Sequence, residues 1–481
     1  MTVADMTEGW QWAGKRVTVL GLGREGAAIA RYLAQQGASV TATDLKSAEQ
    51  LRSVVDDLAD LPLHYALGGH PEAVLDCDLM FVSPGVPLDA PILVAARERG
   101  LLLCSESRLF CFLCPAPVIG ITGSSGKTTT CVLVAKMLEA GGRRVHLGGN
   151  IGNPLIGRLP QIGPTDIVVT ELSSFQLDFF GALLDAEPRG DLVSPLFPEG
   201  GWSPRFAVVL NVTPNHLDRH PTMDAYIEAK SKILRYQQPE DDALLGWDDG
   251  IAHGFERQCR GRVTFFSLRQ RVPEGAYLNG DRLVLRHSSG ETEICSVDEV
   301  HLRGMHNVAN ILAACAVADR FAVAPAQMAE VARTFTGVEH RLEPVRELRS
   351  VWYYNDSIAT SPERAMAALN SFSEPIVLLA GGRDKHLPWE QWADLVRRKV
   401  VQVIVFGEAA ALIGGVLSGL GDQAPPVHRA DSVAQAVQIA REVAEPGQVV
   451  LFAPGGTSFD AFRDYAERGQ SFKRLVRDLT D

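Results

Sequence analysis

The stretch best equipped for chemistry is Gly123-Ser124-Ser125-Gly126-Lys127-Thr128-Thr129. Its glycines leave backbone N–H groups free to face an anion. Lys127 carries a mobile positive charge for β- and γ-phosphates, and the Thr128 hydroxyl is placed to touch Mg²⁺. The spacing departs from a strict P-loop, because five residues rather than four separate Gly120 from Gly126. A chance Gly-Lys-Thr in a surface turn is the bland alternative. Against it stand the apolar run at 117–121, which reads as a buried strand, and the helix-forming run from Thr129 onward. Farther along, Asp166-Ile-Val-Val-Thr170 reads as another buried strand that delivers Glu171 at its end. A carboxylate in that position is the usual second Mg²⁺ contact of nucleotide hydrolases.

A second phosphate-type signal lies near the N-terminus. Gly21-Leu22-Gly23-Arg24-Glu25-Gly26 sits between a strand at 16–21 and a helix running to about residue 36. A second strand at 38–43 ends on Asp44, 18 residues after the last glycine. This is a G-x-G-x-x-G unit in its β-turn-α-β setting, and a dinucleotide-linked dehydrogenase is its default reading. A tight turn with no ligand is the plain alternative. The strand at 78–83 ends in Ser83-Pro84-Gly85-Val86-Pro87, a rigid loop at a strand's carboxyl end, where ligands sit in open α/β sheets. Two nucleotide-type sites in successive domains argue against a simple dehydrogenase, which would leave the P-loop unexplained.

These motifs need parallel sheets to hold them. At 481 residues the chain has room for about three domains. The alternation of strands and helices predicts an α/β protein with a Rossmann-like domain at 1–115, a central P-loop domain at 116–302 and a C-terminal Rossmann-like α/β domain at 303–481. Pro115-Ala-Pro117 serves as a linker. An amphipathic helix over 223–236 contains Lys230, and a helix from about 304 to 322 contains Asn307. Strands are expected at 342–348, 351–354, 375–380, 401–406 and 448–452. Residues 181–205, rich in Pro and Gly, read as an irregular insertion. The net charge of −12 argues against a nucleic-acid binder. Eight sparse cysteines, including the Cys111/Cys114 pair, read as reduced thiols of a cytoplasmic protein. Nothing resembles a signal peptide or the ~18 unbroken apolar residues of a membrane span, so no membrane association is expected.

At this point the residues resemble the Mur ligase family, over almost the whole chain. The resemblance rests on Gly123-Ser-Ser-Gly-Lys-Thr, Gly149-Asn-Ile-Gly152, Glu171-Leu-Ser-Ser-Phe-Gln-Leu, Asn211-Val-Thr-Pro-Asn-His-Leu-Asp-Arg, Tyr226-Ile-Glu-Ala-Lys230, His306-Asn307, His340-Arg341, Asn355-Asp-Ser, Gly381-Gly-Arg-Asp-Lys and Ser458-Phe-Asp. It implies an ADP-forming amide ligase of peptidoglycan precursor synthesis. ATP would phosphorylate the carboxylate of UDP-N-acetylmuramoyl-L-alanine, and the amine of glutamate would attack the acyl phosphate. It implies two Mg²⁺ ions, the second held by His216 and by a carbamoylated Lys230. It assigns Asn307 and Arg341 to the nucleotide and Asp356 to its ribose. The UDP moiety falls to Gly23, Arg24, Glu25, Asp44, Ser83 and Gly85, with Asn150 from the central domain. Glutamate falls to Thr360, Lys385, Ser458 and Tyr465, in a chain expected to be monomeric. Two positions depart from the family pattern: Ile358 stands where Asn-Asp-Ser is usually followed by lysine, and Tyr465 where phenylalanine is common. D-glutamate is the favoured acceptor. L-glutamate, or a ligase of the folylpolyglutamate-synthase type, are the alternatives.

Overall fold

The computed structural model describes residues 12–152, 154–181, 201–214, 219–302, 304–385 and 387–480. The chain divides into two compact units, one of Met1–Val300 with Met305–Thr334 and one of His301–Gly304 with Phe335–Asp481.

The first unit contains two sheets. The N-terminal sheet has five parallel strands in the order Leu63–Leu67, Ser39–Asp44, Arg16–Leu20, Leu79–Val82, Leu102–Cys104. The helix Arg24–Gln35 turns Ile29, Ala30, Leu33 and Ala34 into the core, a spacing that makes one apolar stripe. Gly26 allows this helix to start hard against the first strand, since a Cβ there would lie 1.8 Å from the Gly21 carbonyl oxygen. The strand Leu63–Leu67 was not legible from the sequence. It is an edge strand with none of its five residues buried, so it shows no apolar run.

The central sheet has nine strands, in the order Gly290–Ser296, Arg282–His287, Gly275–Asn279, Arg262–Ser267, Asp242–Gly246, Phe206–Val209, Val118–Thr122, Ile167–Glu171, Val145–Gly149. The first two pairings are antiparallel and all others parallel. Val118–Thr122 and Ile167–Glu171 are buried at every position, as parallel strands covered on both faces must be. The helices Met305–Arg320 and Pro325–Thr334 pack on the P-loop helix Lys127–Ala140 of this sheet. Ten residues of Met305–Arg320 are buried, too many for a helix facing solvent on one side. The domain limit expected at 302 thus falls just before two helices whose contacts are with the central sheet.

The second unit has six strands, in the order Glu343–Leu348, Val351–Asn355, Val449–Gly455, Ile376–Gly381, Val400–Phe406, Val427–Arg429. The first pair is antiparallel and the rest parallel. In all three sheets the motif residues follow the carboxyl ends of adjacent parallel strands, where the fold leaves crevices. No helix among the described residues is long and apolar enough to cross a membrane.

Candidate active site

The P-loop strand Val118–Thr122 ends in the turn that opens the helix Lys127–Ala140. Gly126, at the N-cap, has φ +80°, and a Cβ there would meet the Asn310 Oδ1 at 2.4 Å; both facts select glycine. Ser124 and Ser125 tie the loop to the next strand's end. Ser124 Oγ donates to the Thr213 carbonyl at 2.9 Å, and the Ser125 N–H donates to Asn211 Oδ1 at 2.9 Å. Thr128 Oγ1 donates to Glu171 Oε2 at 2.7 Å, and Asn150 Nδ2 donates to the other carboxylate oxygen at 2.7 Å. Thr129 is buried in the first turn. Asn307 and Asn310 share one face of Met305–Arg320, and Asn310 Oδ1 accepts from Thr130 Oγ1 at 3.3 Å. Asn310 is a P-loop neighbour that the motifs missed; its i+3 spacing from Asn307 was the available signal.

Two lysines converge on this loop. Lys127 Nζ donates to the Gly123 carbonyl oxygen at 2.9 Å, and Lys230 Nζ donates to the same oxygen at 3.0 Å. Lys230 comes from the helix Met223–Arg235, capped by Thr222, and is only 1 % exposed. Burial first, and the Lys127 charge second, hold its amine well below the usual lysine range, although Glu171 pulls the other way. The buried amine also lies 4.7 Å from the centre of the Tyr226 ring. His216 lies outside the described residues.

A cavity of about 960 Å³ opens along the carboxyl edge of the five-stranded sheet. Gly23, Arg24, Glu25, Asp44, Ser83 and Gly85 all line it, together with Gly149 and Gly152. Asn150 is not on its wall but bonds to Glu171. Asp44 braces the rim, accepting from the N–H groups of Leu22 at 2.7 Å and Lys46 at 2.9 Å. Ser83 Oγ donates to the Gly21 carbonyl at 2.6 Å. Arg24 Nη1 donates to the Gly152 carbonyl at 2.8 Å, closing the cavity against the central sheet's loop. Glu25 accepts from Gln176 Nε2 at 2.8 Å, while its other oxygen is buried with no partner. Burial first, then the neighbouring Glu106 carboxylate, push the Glu25 carboxyl far up. Lys46, His70, Glu72 and Arg99 also line the cavity and belong to no motif.

In the second unit the site residues follow three neighbouring strands. Asp356 and Thr360 follow Val351–Asn355, Lys385 follows Ile376–Gly381, and Ser458 follows Val449–Gly455. Lys385 Nζ donates to Thr360 Oγ1 at 3.5 Å, and Arg364 Nη1 reaches back to the Ile358 carbonyl at 3.4 Å. Asp356 accepts from the Leu342 N–H at 3.0 Å, and burial pushes its carboxyl up to about 6. Arg341 is exposed and lies between His340 (φ +63°) and Leu342 (φ +43°), two side-chain-bearing residues in left-handed backbone. Such strain persists only where surrounding structure enforces it, here through Asn355 Nδ2 on His340 Nδ1 at 2.9 Å. Tyr465 opens the last helix, its carbonyl accepting from Ser357 Oγ at 2.8 Å.

Arg468, fully buried, binds these loops together. It donates to Ser357 Oγ and the Ser357 carbonyl, and to the carbonyls of Gly456 and Thr457, at 2.8–3.0 Å. Arg468→Ala would strand those acceptors, and a loss of about 3 kcal/mol is expected. Calorimetry of the full chain should register it as a melting transition several degrees lower; an unshifted transition would refute the clasp.

This combination of parallel sheets, P-loop and adjoining ligand cavity defines a P-loop nucleotide-dependent enzyme. Family models agree on a narrower class. The Mur ligase MurD-like N-terminal domain matches residues 15–105, the Mur ligase middle domain 199–318, and the Mur ligase glutamate ligase domain 340–456. The chain belongs to the Mur ligase family. It is 44% identical over 470 residues to the UDP-N-acetylmuramoylalanine–D-glutamate ligase of Symbiobacterium thermophilum, covering 97% of this chain and 98% of that one. It is 40% identical to the protein of the same name from Acetivibrio thermocellus, covering 97% of each. Among solved structures, the UDP-N-acetylmuramate-alanine ligase MurC of Thermotoga maritima superposes with a TM-score of 0.56 at 18% identity, covering 96% of this chain and 99% of that one. MurF of Acinetobacter baumannii gives 0.53 at 17%, with 99% and 98% covered. At such identities these two speak for the fold alone.

Proposed function

We propose that this chain joins D-glutamate to UDP-N-acetylmuramoyl-L-alanine at the expense of ATP, a cytoplasmic step of peptidoglycan precursor synthesis. The observation that carries the reading is the convergence of Lys127 and Lys230 on the Gly123 carbonyl, beside the Thr128–Glu171 pair. Cationic and oxygen donors gathered at a helix N-terminus suit the transfer of a γ-phosphoryl group, which needs charge neutralisation more than covalent help.

The carboxylate oxygen of the alanine attacks the γ-phosphorus, and the bond to the bridging β–γ oxygen breaks as ADP leaves. The neutral glutamate amine then attacks the acyl carbon, phosphate departs with its bonding pair, and the surplus N–H proton passes to solvent. Lys127 follows the charge that builds on the transferred group. The donor set fits Mg²⁺, a hard cation that takes oxygen ligands. Thr128 Oγ1 and Glu171 would hold one ion; His216 and a carbamoylated Lys230 would hold a second. When bound, Mg²⁺ neutralises phosphate and carboxylate oxygens together. An ammonium cannot ligate a cation, whereas the N-carboxylate of Lys230 can.

The sugar nucleotide is assigned to the cavity lined by Gly23, Arg24, Glu25, Asp44, Ser83 and Gly85, with Asn150 beside Glu171. A Glu25 carboxyl kept neutral by burial would not repel a diphosphate there. ATP is assigned to Gly123–Thr129 and Asn307, and the family pattern adds Arg341 and Asp356. Thr360, Lys385, Ser458 and Tyr465 are assigned to glutamate, whose carboxylates suit the Lys385 ammonium and the Ser458 hydroxyl.

The test supplies ATP, UDP-N-acetylmuramoyl-L-alanine and either enantiomer of glutamate to the purified protein and follows ADP. D-glutamate should support turnover at least about 100-fold better than L-glutamate, the ratio that mispaired carboxylate contacts would produce. Preference for the L form would overturn the assigned enantiomer, and ADP formation with neither would overturn the reaction.

A further inference from the structure

The cavity loop Ser83-Pro84-Gly85-Val86-Pro87 contains two prolines and leaves its strand at Ser83, whose N–H still donates to the Leu20 carbonyl at 3.0 Å; beyond it the sheet ladder does not hold Pro84–Val86. One side chain from the central domain does. Arg219 Nη1 donates to the Gly85 carbonyl at 2.9 Å, and Nη2 donates to the carbonyls of Pro84 and Val86, each at 3.0 Å. The guanidinium lies 4.7 Å from the centre of the Phe175 ring, and that ring stacks on His220 at 5.5 Å. His220 Nε2 in turn bonds Ser174 Oγ at 3.0 Å. Phe175 is four residues past Glu171, so Arg219 rests on the segment that carries the phosphate-side carboxylate. The three carbonyls are met from two separate nitrogens of one planar fork, a fixed spread of donors that the single nitrogen of a lysine ammonium does not reproduce.

A trans peptide carries its N–H opposite its C=O. Fixing the Pro84 carbonyl on Arg219 therefore also fixes the direction of the Gly85 N–H, and Gly85 lines the cavity. We propose that Arg219 is a positioning residue for the sugar nucleotide: it sets the Pro84–Val86 backbone against which that substrate binds, without touching the substrate. The proposal rests on the assignment of the cavity to the UDP moiety. It predicts an effect on affinity for one substrate out of three.

The experiment compares wild type, Arg219→Lys and Arg219→Ala in steady-state kinetics with each substrate varied in turn, and titrates UDP alone by calorimetry. Arg219→Ala should raise the KM for UDP-N-acetylmuramoyl-L-alanine about 30-fold, with kcat and the KM values for ATP and glutamate within about threefold of wild type. Arg219→Lys, which keeps the charge but not the fork, should fall between them. UDP binding should weaken in parallel. An unchanged KM for the sugar nucleotide, or an equal change in all three KM values, would overturn the positioning role. If Arg219→Ala does not fold, the Lys variant decides by the same criteria. Wild type that fails to bind UDP would refute the cavity assignment itself, whereas UDP binding equal in wild type and variant would refute only the role of Arg219.

Discussion

Lys127→Ala should reduce ADP formation in the complete assay about 10³-fold, equivalent to about 4 kcal/mol of transition-state stabilisation. The loss should fall mainly on kcat. The backbone N–H groups of the turn and the N-terminus of Lys127–Ala140 survive the substitution and still cradle phosphates, so the KM for ATP should change less than about tenfold. What disappears is a mobile side-chain cation that can follow charge onto the transferred phosphoryl group. A second consequence concerns Lys230. The Lys127 charge is one of the two influences that keep the Lys230 amine low, and its removal relaxes that influence. Lys127→Ala should therefore favour the protonated, unreactive form of Lys230 and compound the defect. Lys127 is partly exposed, and its replacement should leave the melting temperature within a few degrees of wild type. Undiminished turnover in the folded variant would overturn the assignment of the P-loop to ATP.

The elements that hold this chemistry were legible because each announces itself locally. Val118–Thr122 and Ile167–Glu171 are apolar runs ending at a glycine turn or an acid, and the periodicity of 223–236 marks the helix carrying Lys230. The cavity wall was legible in its glycines and in Asp44 and Ser83, for the same reason. Residues that act across the chain were not. Arg219 reaches the Pro84–Val86 carbonyls over more than 130 positions, and Arg468 reaches Ser357 over 111. Arg108 donates to the carbonyls of Phe179 and Gly181 in the same way. Each is an arginine that donates to backbone carbonyls far away in the sequence. Such acceptors exist at every position, so no pairing of residue types marks the contact in advance. The helices Met305–Arg320 and Pro325–Thr334 show a related limit. Their periodicity reveals helices with apolar faces, but not which sheet those faces cover.

Lys230→Ala should lower turnover by about 10³-fold, and formate or acetate at millimolar concentrations should restore at least about tenfold of it. The argument begins with burial. An ammonium that is 1 % exposed and close to a second cation is costly, and the structure answers by favouring the neutral amine. A neutral amine is the nucleophilic form, able to add to the carbon of CO₂. The N–C bond forms, a C–O π pair moves onto oxygen, and the displaced N–H proton passes to solvent. The product carries a negative charge beside Lys127, so a neutral amine becomes an anion attracted to that cation, and the site gains carboxylate oxygens of the kind Mg²⁺ prefers. Truncation to alanine removes the carbamate and leaves room in a buried pocket that a small carboxylate can enter. The same logic predicts that wild type held in CO₂-depleted buffer loses activity and regains it when bicarbonate is added. ¹³C-bicarbonate should produce a carbamate carbonyl resonance in wild type that is missing from Lys230→Ala. A folded wild-type protein that is fully active without CO₂ and shows no such resonance would mean that Lys230 works as a plain amine, and the second metal would then need another ligand.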